Sequence, residues 1–336
     1  MRKKIAIIGG GIIGCLTAIK LKESGFEVLV VDKHQIGKES SWAGAGILFP
    51  LMPWNYLPKV YNLCTLASSY YENFSKKLHD TTGIDPEYKK TGMTLIPPYN
   101  KDEVIKWANS QNLPYEETFF QNTESIHLPS VAQIRSPRLM KSIKLFMQEM
   151  GINIIENTEL AGIDHKEGVV KKWPTKNNSF IEADYFVITS GAWTSNLKEN
   201  YKSKIYPVKG QMIQYKTSNL EIEKILYSND FYILQRKDGV VIAGSTIEEV
   251  GFNQAVNIDK KEALMRKAEE LIPDLANVEV ENHWAGFRPG TKENIPFIQK
   301  DDDYENVFIN SGHFRYGLTM APQSAENLNK ILIKSI

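Results

Sequence analysis

The hydrophobic pattern opens with a short apolar run, Lys3 to Ile8, rich in β-branched residues. A continuous run of that kind predicts a parallel strand buried on both faces. It ends in Gly9-Gly10-Gly11-Ile12-Ile13-Gly14, and the stretch from Cys15 to Leu21 then reads as a helix stopping at Gly25, a left-handed cap. A second apolar run, Val28 to Val31, predicts the next strand and terminates on Asp32. Tyr61 to Leu78 has helical periodicity, whereas residues 83–136 change character, with short strand-like pieces such as Met93 to Ile96, prolines and exposed charge. Ser136 as N-cap with Pro137 at the first helical position starts another helix, which ends at Gly151. Ile152 to Ile155 and Tyr185 to Thr189 are further strands.

From Ile205 the alternation becomes antiparallel. Val208 to Tyr215 is one strand, and Phe231 to Arg236 turns at Lys237-Asp238-Gly239 into Val240 to Ser245 as a hairpin. A helix near Asp259 to Leu271 follows, then His283 to Gly290 leads back to the first part of the chain. A last strand, Val307 to Asn310, precedes a closing helix from about Leu318 to Ile333. There are no repeats or low-complexity tracts. The pattern predicts an α/β fold: a Rossmann-type domain with an α+β domain, built on an antiparallel sheet, inserted in two pieces.

Strand, glycines, helix, second strand and terminal acid fall in the order that a dinucleotide-binding βαβ unit requires. Gly9 serves the tight turn, Gly11 lets the backbone approach a pyrophosphate, and Gly14 lets helix and sheet pack closely. N–H groups at the start of the helix, Ile12 and Ile13 included, face the phosphates. Asp32 stands eighteen positions after the third glycine, where a carboxylate takes up ribose hydroxyls. The segment Gly37 to Pro50 is dense in small residues that let backbone approach a flat ligand, and Ser40 or Ser41 can donate to phosphate oxygens. Glu156 to Leu160 borders the adenine, and the small residues Ser190-Gly191-Ala192 with Trp193 lie at a strand's C-terminal end, where open α/β sheets bind ligands.

Composition removes other classes. Lys+Arg and Asp+Glu both count 40 in 336 residues, so no global field draws the chain to nucleic acid or anionic lipid. The two cysteines, Cys15 and Cys64, sit in predicted helices outside any zinc or C-x-x-C pattern, consistent with a reduced compartment. With none in the C-terminal half, a thioether to a cofactor from there is excluded. The basic-then-apolar N-terminus superficially imitates a secretory signal, but it supplies the first strand and the glycine turn, and no apolar run nears the ~20 residues needed to span a bilayer. The expected location is the cytoplasm.

The pieces GGGIIG with VVDK, SSWAGAGILFPLMPW, SGAWT, PVKGQM, GSTIEEVGF, WAGFRPGT and GHFRYGLTMAP occur in one order across nearly the whole chain. In that order they resemble the D-amino-acid-oxidase superfamily of FAD-dependent amine oxidases, most closely its glycine oxidases of the thiamine pathway. The resemblance implies non-covalent FAD and oxidation of glycine, sarcosine or a small D-amino acid to an imino acid. It also implies molecular oxygen as acceptor and hydrogen peroxide as product. A single dinucleotide fingerprint independently favours a substrate that reduces the flavin directly. Two alternatives stay open: a D-amino-acid dehydrogenase feeding a quinone, and a tRNA-modifying flavin enzyme, which neutral charge disfavours. Oligomeric state, including a homo-oligomer, is left open.

The same resemblance implies residue roles. Arg288 of the WAGFRP motif grips the substrate carboxylate, as a planar guanidinium can, and the Tyr232 hydroxyl assists. Arg315 is a second arginine near the substrate or else an anchor to a buried acid; Tyr227 and Ile247 correspond to pocket walls. Gly9, Gly11, Ile12, Ile13, Gly14, Asp32, Lys33, Ser40, Ser41, Ala43, Gly44, Gly46, Leu48, Leu160, Gly191, Trp193 and Arg288 are expected to hold FAD. So are Gly312, His313, Phe314, Arg315, Tyr316, Gly317 and Leu318, whose N–H groups would meet the flavin's pyrimidine edge. His313 is not expected to act as a base. Asp230 stands where some relatives carry histidine, and Gln235 where the hairpin usually has proline. The FAD domain is expected to comprise residues 1–82, 137–205 and 285–336, and the substrate domain 83–136 and 206–284.

Overall fold

In a computed structural model, which describes residues 2–49, 52–163 and 168–336, the first strand is Lys4–Ile8 at the heart of a six-stranded sheet. Pro50 and Leu51, part of the small-residue segment, lie outside the described residues. The sheet order is Phe297–Lys300, Val307–Ser311, Tyr185–Ile188, Lys4–Ile8, Glu27–Val31 and Asn153–Ile155. All neighbours are parallel except the edge strand Phe297–Lys300. Ile5, Ile7, Val30 and Val187 are inaccessible to solvent, as expected for strands covered on both faces. One face packs against the helices Ile12–Glu23, Ser136–Glu149 and Gly317–Ser335, whose Leu16, Ile143 and Leu328 join the same core.

The antiparallel part is an eight-stranded sheet ordered Val280–Gly290, Tyr206–Lys216, Val240–Gly244, Phe231–Gln235, Ile225–Ser228, Met93–Leu95, Thr123–Leu128 and Glu116–Phe120. Only the pair Ile225–Ser228 with Met93–Leu95 is parallel. Two long strands, Tyr206–Lys216 and Val280–Gly290, run side by side with Val208 opposite Arg288 and Gly210 opposite Gly286. They carry one end of this sheet up to the parallel one.

Three local expectations need correction. The periodic stretch from Tyr61 to Leu78 is two helices, Pro58–Asn62 and Ala67–Thr82, and Cys64 sits in the turn between them. The turn, Leu63 to Leu66, contains no glycine or proline to mark it. Ser136 is not an N-cap: Arg135 is the extended capping residue, its carbonyl accepts from the Leu139 N–H at 2.9 Å, and Ser136 and Pro137 begin the helix. Finally, His283 to Gly290 is no connector but most of the edge strand Val280–Gly290, its apolar residues covered on one side only. No helix among the described residues is long and apolar enough to cross a membrane, and none of their acidic, histidine or cysteine side chains cluster as a metal site.

Candidate active site

The C-terminal ends of the parallel strands open into one continuous cleft. Its floor begins at Gly9, whose φ of +112° is left-handed territory and whose missing side chain leaves room for the Thr189–Ser190 backbone. Gly11 caps the helix Ile12–Glu23 in an extended conformation, and a side chain there would press on Ser41 Oγ at 3.2 Å. Gly14 lies beneath the cleft rather than on it. A Cβ on Gly14 would collide with the Gly9 carbonyl oxygen and stand 2.6 Å from Thr189 Oγ1, so this glycine seats the helix on the sheet.

Asp32 ends the second strand on the cleft. Its Oδ2 accepts the Gly10 N–H at 2.6 Å and its Oδ1 accepts the His34 N–H at 2.8 Å. Burial pushes its pKa up while those donors pull it back. Each oxygen keeps a lone pair for a further donor. The next residue, Lys33, lays its ammonium 3.6 Å over the Trp193 ring, which also stacks on Phe252. Leu160 and Gly191 complete this end, together with Thr158 and Glu159.

The Ser40–Ala43 turn and the Gly44-Ala45-Gly46 backbone form a second wall. Ser40 Oγ donates to the Phe287 carbonyl, and Ser41 Oγ accepts the Ile12 N–H at 2.8 Å. Ser40 therefore spends its proton within the chain, whereas Ser41 orders the helix start and retains its own proton. Trp284 Nε1 donates to the Ala43 carbonyl at 3.1 Å, so the edge strand grips this wall at two points. Arg236, in the hairpin, donates to the Ala45 carbonyl at 2.5 Å and to Gln133 Oε1 at 2.6 Å. Burial pulls its pKa down to about 10. Leu48 is buried just behind the wall, off the cleft surface.

The turn from His313 to Tyr316 and the first two residues of the last helix, Gly317 and Leu318, line the far side. Gly312, with φ +91°, shapes the entry to this turn without lining the cleft. His313 is buried, its Nε2 lies 2.9 Å from Ser324 Oγ, and burial lowers its pKa to about 3, so the ring is neutral and structural. Asn310, also on the cleft, donates to Thr17 Oγ1 at 3.1 Å while its buried Oδ1 has no hydrogen-bond partner among the described residues.

Arg288, on the edge strand Val280–Gly290, and Tyr232, on the interior strand Phe231–Gln235 of the same sheet, both line the cleft. The part-buried Arg288 guanidinium donates to the Thr246 carbonyl at 3.0 Å and to Ser245 Oγ at 2.6 Å, both neutral acceptors. No ion pair is made to it among the described residues. Burial lowers its pKa, but a guanidinium stays charged. Gly210 makes its position available, since a Cβ there would lie 2.5 Å from Arg288 Cζ. The buried Tyr232 hydroxyl donates to Met212 Sδ at 3.6 Å. Arg315 reaches the same cleft but pairs with Asp230 at 3.0 Å. Tyr227 is buried behind it, its hydroxyl donating to Asp230 Oδ1 at 2.9 Å, and Ile247 is about half exposed; neither lines the cleft. Sequence reasoning did not single out Arg236, Ser245, Thr246, Gly210 or Asn310. PVKGQM contained Gly210 and GSTIEEVGF contained Ser245 and Thr246, but only the third dimension shows what an isolated glycine or hydroxyl faces.

A deep groove with a glycine turn at a helix N-terminus, an acid at the end of the second strand and an orphaned buried amide oxygen fits a flavin dinucleotide. The chain matches the family model described as DAO, FAD dependent oxidoreductase, over residues 4–330. It belongs to the FAD-dependent oxidoreductase family. Within that family it is 33% identical to a glycine oxidase of Pseudomonas putida over 347 aligned residues, covering 99% of this chain and 95% of the relative. It is 32% identical to a glycine oxidase of Pseudomonas aeruginosa with the same coverage. Its fold superposes on the crystal structure of glycine oxidase from Bacillus cereus with a TM-score of 0.90 at 23% identity, covering 100% of this chain and 96% of that one. As a member of the FAD-dependent oxidoreductases similar to these oxidases, it is an FAD-dependent amino-acid oxidase, with the mixed parallel and antiparallel sheets of that fold.

Proposed function

We propose that this oxidase deaminates glycine or another small amino acid, sarcosine or a small D-amino acid, giving an imino acid and hydrogen peroxide in the cytoplasm. The observation that carries the reading is Arg288: a guanidinium on the cleft, held by two neutral acceptors and lacking an acid of its own. Such a cation is an anion site, and its planar fork suits a carboxylate. FAD, when bound, accepts the hydride leaving the substrate α-carbon and hands the electrons to oxygen. The chain's own contribution is placement. Gly9, Gly11, Ile12, Ile13, Asp32 and Ser41 would hold the pyrophosphate and ribose side of the cofactor; Gly46 and the stretch from His313 to Leu318 would hold its ring. Arg288 fixes the carboxylate, and Tyr232, capped by Met212, closes the space beside it. No side chain is needed as base, because an amino acid can release its ammonium proton to water.

On this reading residues 1–82, 137–205 and 285–336 serve the cofactor and 83–136 with 206–284 shape the substrate side, the strand Val280–Gly290 passing between them. The test is anaerobic mixing of the purified yellow protein with glycine, sarcosine and D-alanine. Bleaching of the flavin absorbance is expected with at least one, followed in air by one peroxide per substrate. No bleaching with any small amino acid would overturn the reading, and turnover without peroxide would replace oxygen by another acceptor.

A further inference from the structure

The two arginines on the cleft differ in company. Arg288 faces neutral acceptors, whereas Arg315, its side chain 10% exposed, donates to Asp230 Oδ1 at 3.0 Å. The same oxygen accepts the Tyr227 hydroxyl at 2.9 Å. Asp230 is fixed there by its turn. Asn229 and Asp230 have φ of 45° and 62°, and Ser228 Oγ donates to the Pro97 carbonyl at 2.9 Å. Tyr232, two residues on, is on the cleft. Burial pushes the Asp230 pKa up, but the Arg315 guanidinium and the Tyr227 hydroxyl more than offset this, so the carboxylate is ionised at neutral pH. Both Arg315 and Asp230 lie near enough to act on Arg288, as does Glu248, which is itself 3.5 Å from Lys209. Arg315 cancels against Asp230 and Glu248 against Lys209. Of these five described groups, Arg288 is the cation with no acid set against it.

We propose that Asp230 is a specificity-determining residue: by neutralising Arg315 it restricts the site to amino acids whose only anionic group is the α-carboxylate. This rests on Arg288 being the carboxylate grip. A second carboxylate near Arg315 meets the charge of Asp230 and must either displace it or lie beside it, and like-charge juxtaposition is a device for rejecting wrong ligands. Asp230→Asn keeps the shape and an oxygen for Tyr227 but removes the charge, releasing Arg315 to bind that second carboxylate.

Sarcosine and iminodiacetate differ by one carboxylate and make the matched pair. The wild-type holoenzyme is expected to prefer sarcosine strongly in kcat/KM for flavin reduction. Asp230→Asn is expected to shift the ratio toward iminodiacetate by about tenfold or more, and Asp230→Glu to keep the wild-type preference. Adding Arg315→Met to Asp230→Asn should abolish the gain. A second readout needs no turnover: perturbation of the flavin spectrum by acetate and by malonate. Acetate should bind wild type at least as tightly as malonate, and Asp230→Asn should reverse that order. Flavin content and thermal midpoint report folding, and Asp230→Ser carries the same test if the asparagine variant does not fold. A wild type that takes iminodiacetate as readily as sarcosine, or unchanged ratios in both readouts, would overturn the assignment. A wild type that reduces its flavin with no amino acid refutes the parent function, while the acetate and malonate order still decides the role of Asp230.

Discussion

Replacing Arg288 by methionine separates a binding role from a structural one. The side chain keeps an unbranched apolar stem but loses the guanidinium, and with it the charge and the donors to Thr246 and Ser245. A hydrogen bond to a charged group contributes about 1.5–3 kcal/mol, so loss of the carboxylate contact predicts a roughly ten- to hundredfold fall in kcat/KM, mostly in KM. For the folded protein two terms oppose each other. Two hydrogen bonds are lost, but so is the cost of holding a desolvated cation without a counter-ion. With 336 residues the unfolding entropy corresponds to about 0.7 kcal/mol per degree. If the terms cancel to within about 2 kcal/mol, the thermal midpoint moves by no more than about 3 °C. The assay is peroxide production against amino-acid concentration, beside a melting curve of the yellow protein. Arg288→Lys should fall between, having charge without the planar fork. A variant with unchanged kcat/KM, or one that loses flavin and about 10 °C of midpoint together, would refute the reasoning.

Other outcomes follow from the same geometry. Gly14→Ala places a methyl against the Gly9 carbonyl and Thr189, an overpacking worth about 1–3 kcal/mol, and should weaken FAD retention in a dialysis experiment while far-ultraviolet circular dichroism stays the same. Arg236→Met removes both donors holding the Ala45 carbonyl and Gln133 and should speed FAD dissociation, measured by recovery of flavin fluorescence, by about tenfold or more for the ~1.5–3 kcal/mol of one such charged bond. His313 stays neutral when folded down to about pH 3, while in the unfolded chain it binds a proton below about pH 6.5. Its contribution is therefore present above about pH 6.5 and lost as pH falls toward 3, and His313→Asn should flatten urea-measured stability against pH over that window.

Much of the cofactor side was legible in the sequence because each part of it is local. Strand, turn, helix and acid follow one another within thirty-two residues, and Gly9, Gly11 and Asp32 all line the cleft. What local pattern could not show is which partner a polar side chain chooses from a distant element. Ser40 gives its proton to Phe287, nearly 250 positions away, and Arg315 meets Asp230 across 85. The alternation in Val280–Gly290 was hidden by its glycines and proline, so the strand that carries Arg288 read as a connector. Tyr227 pointed to the right neighbourhood but serves Asp230 rather than the cleft surface.

The double attachment of the edge strand to the Ser40–Ala43 turn, through Phe287 and Trp284, has a thermodynamic consequence. Arg288 is the residue after Phe287, so on the proposed reading a carboxylate held there would also steady the wall against which the dinucleotide would rest. Reciprocity then requires the two occupants to reinforce each other. A carboxylate that cannot react should tighten the equilibrium binding of the flavin, and an enzyme stripped of its flavin should hold that carboxylate more loosely by the same factor.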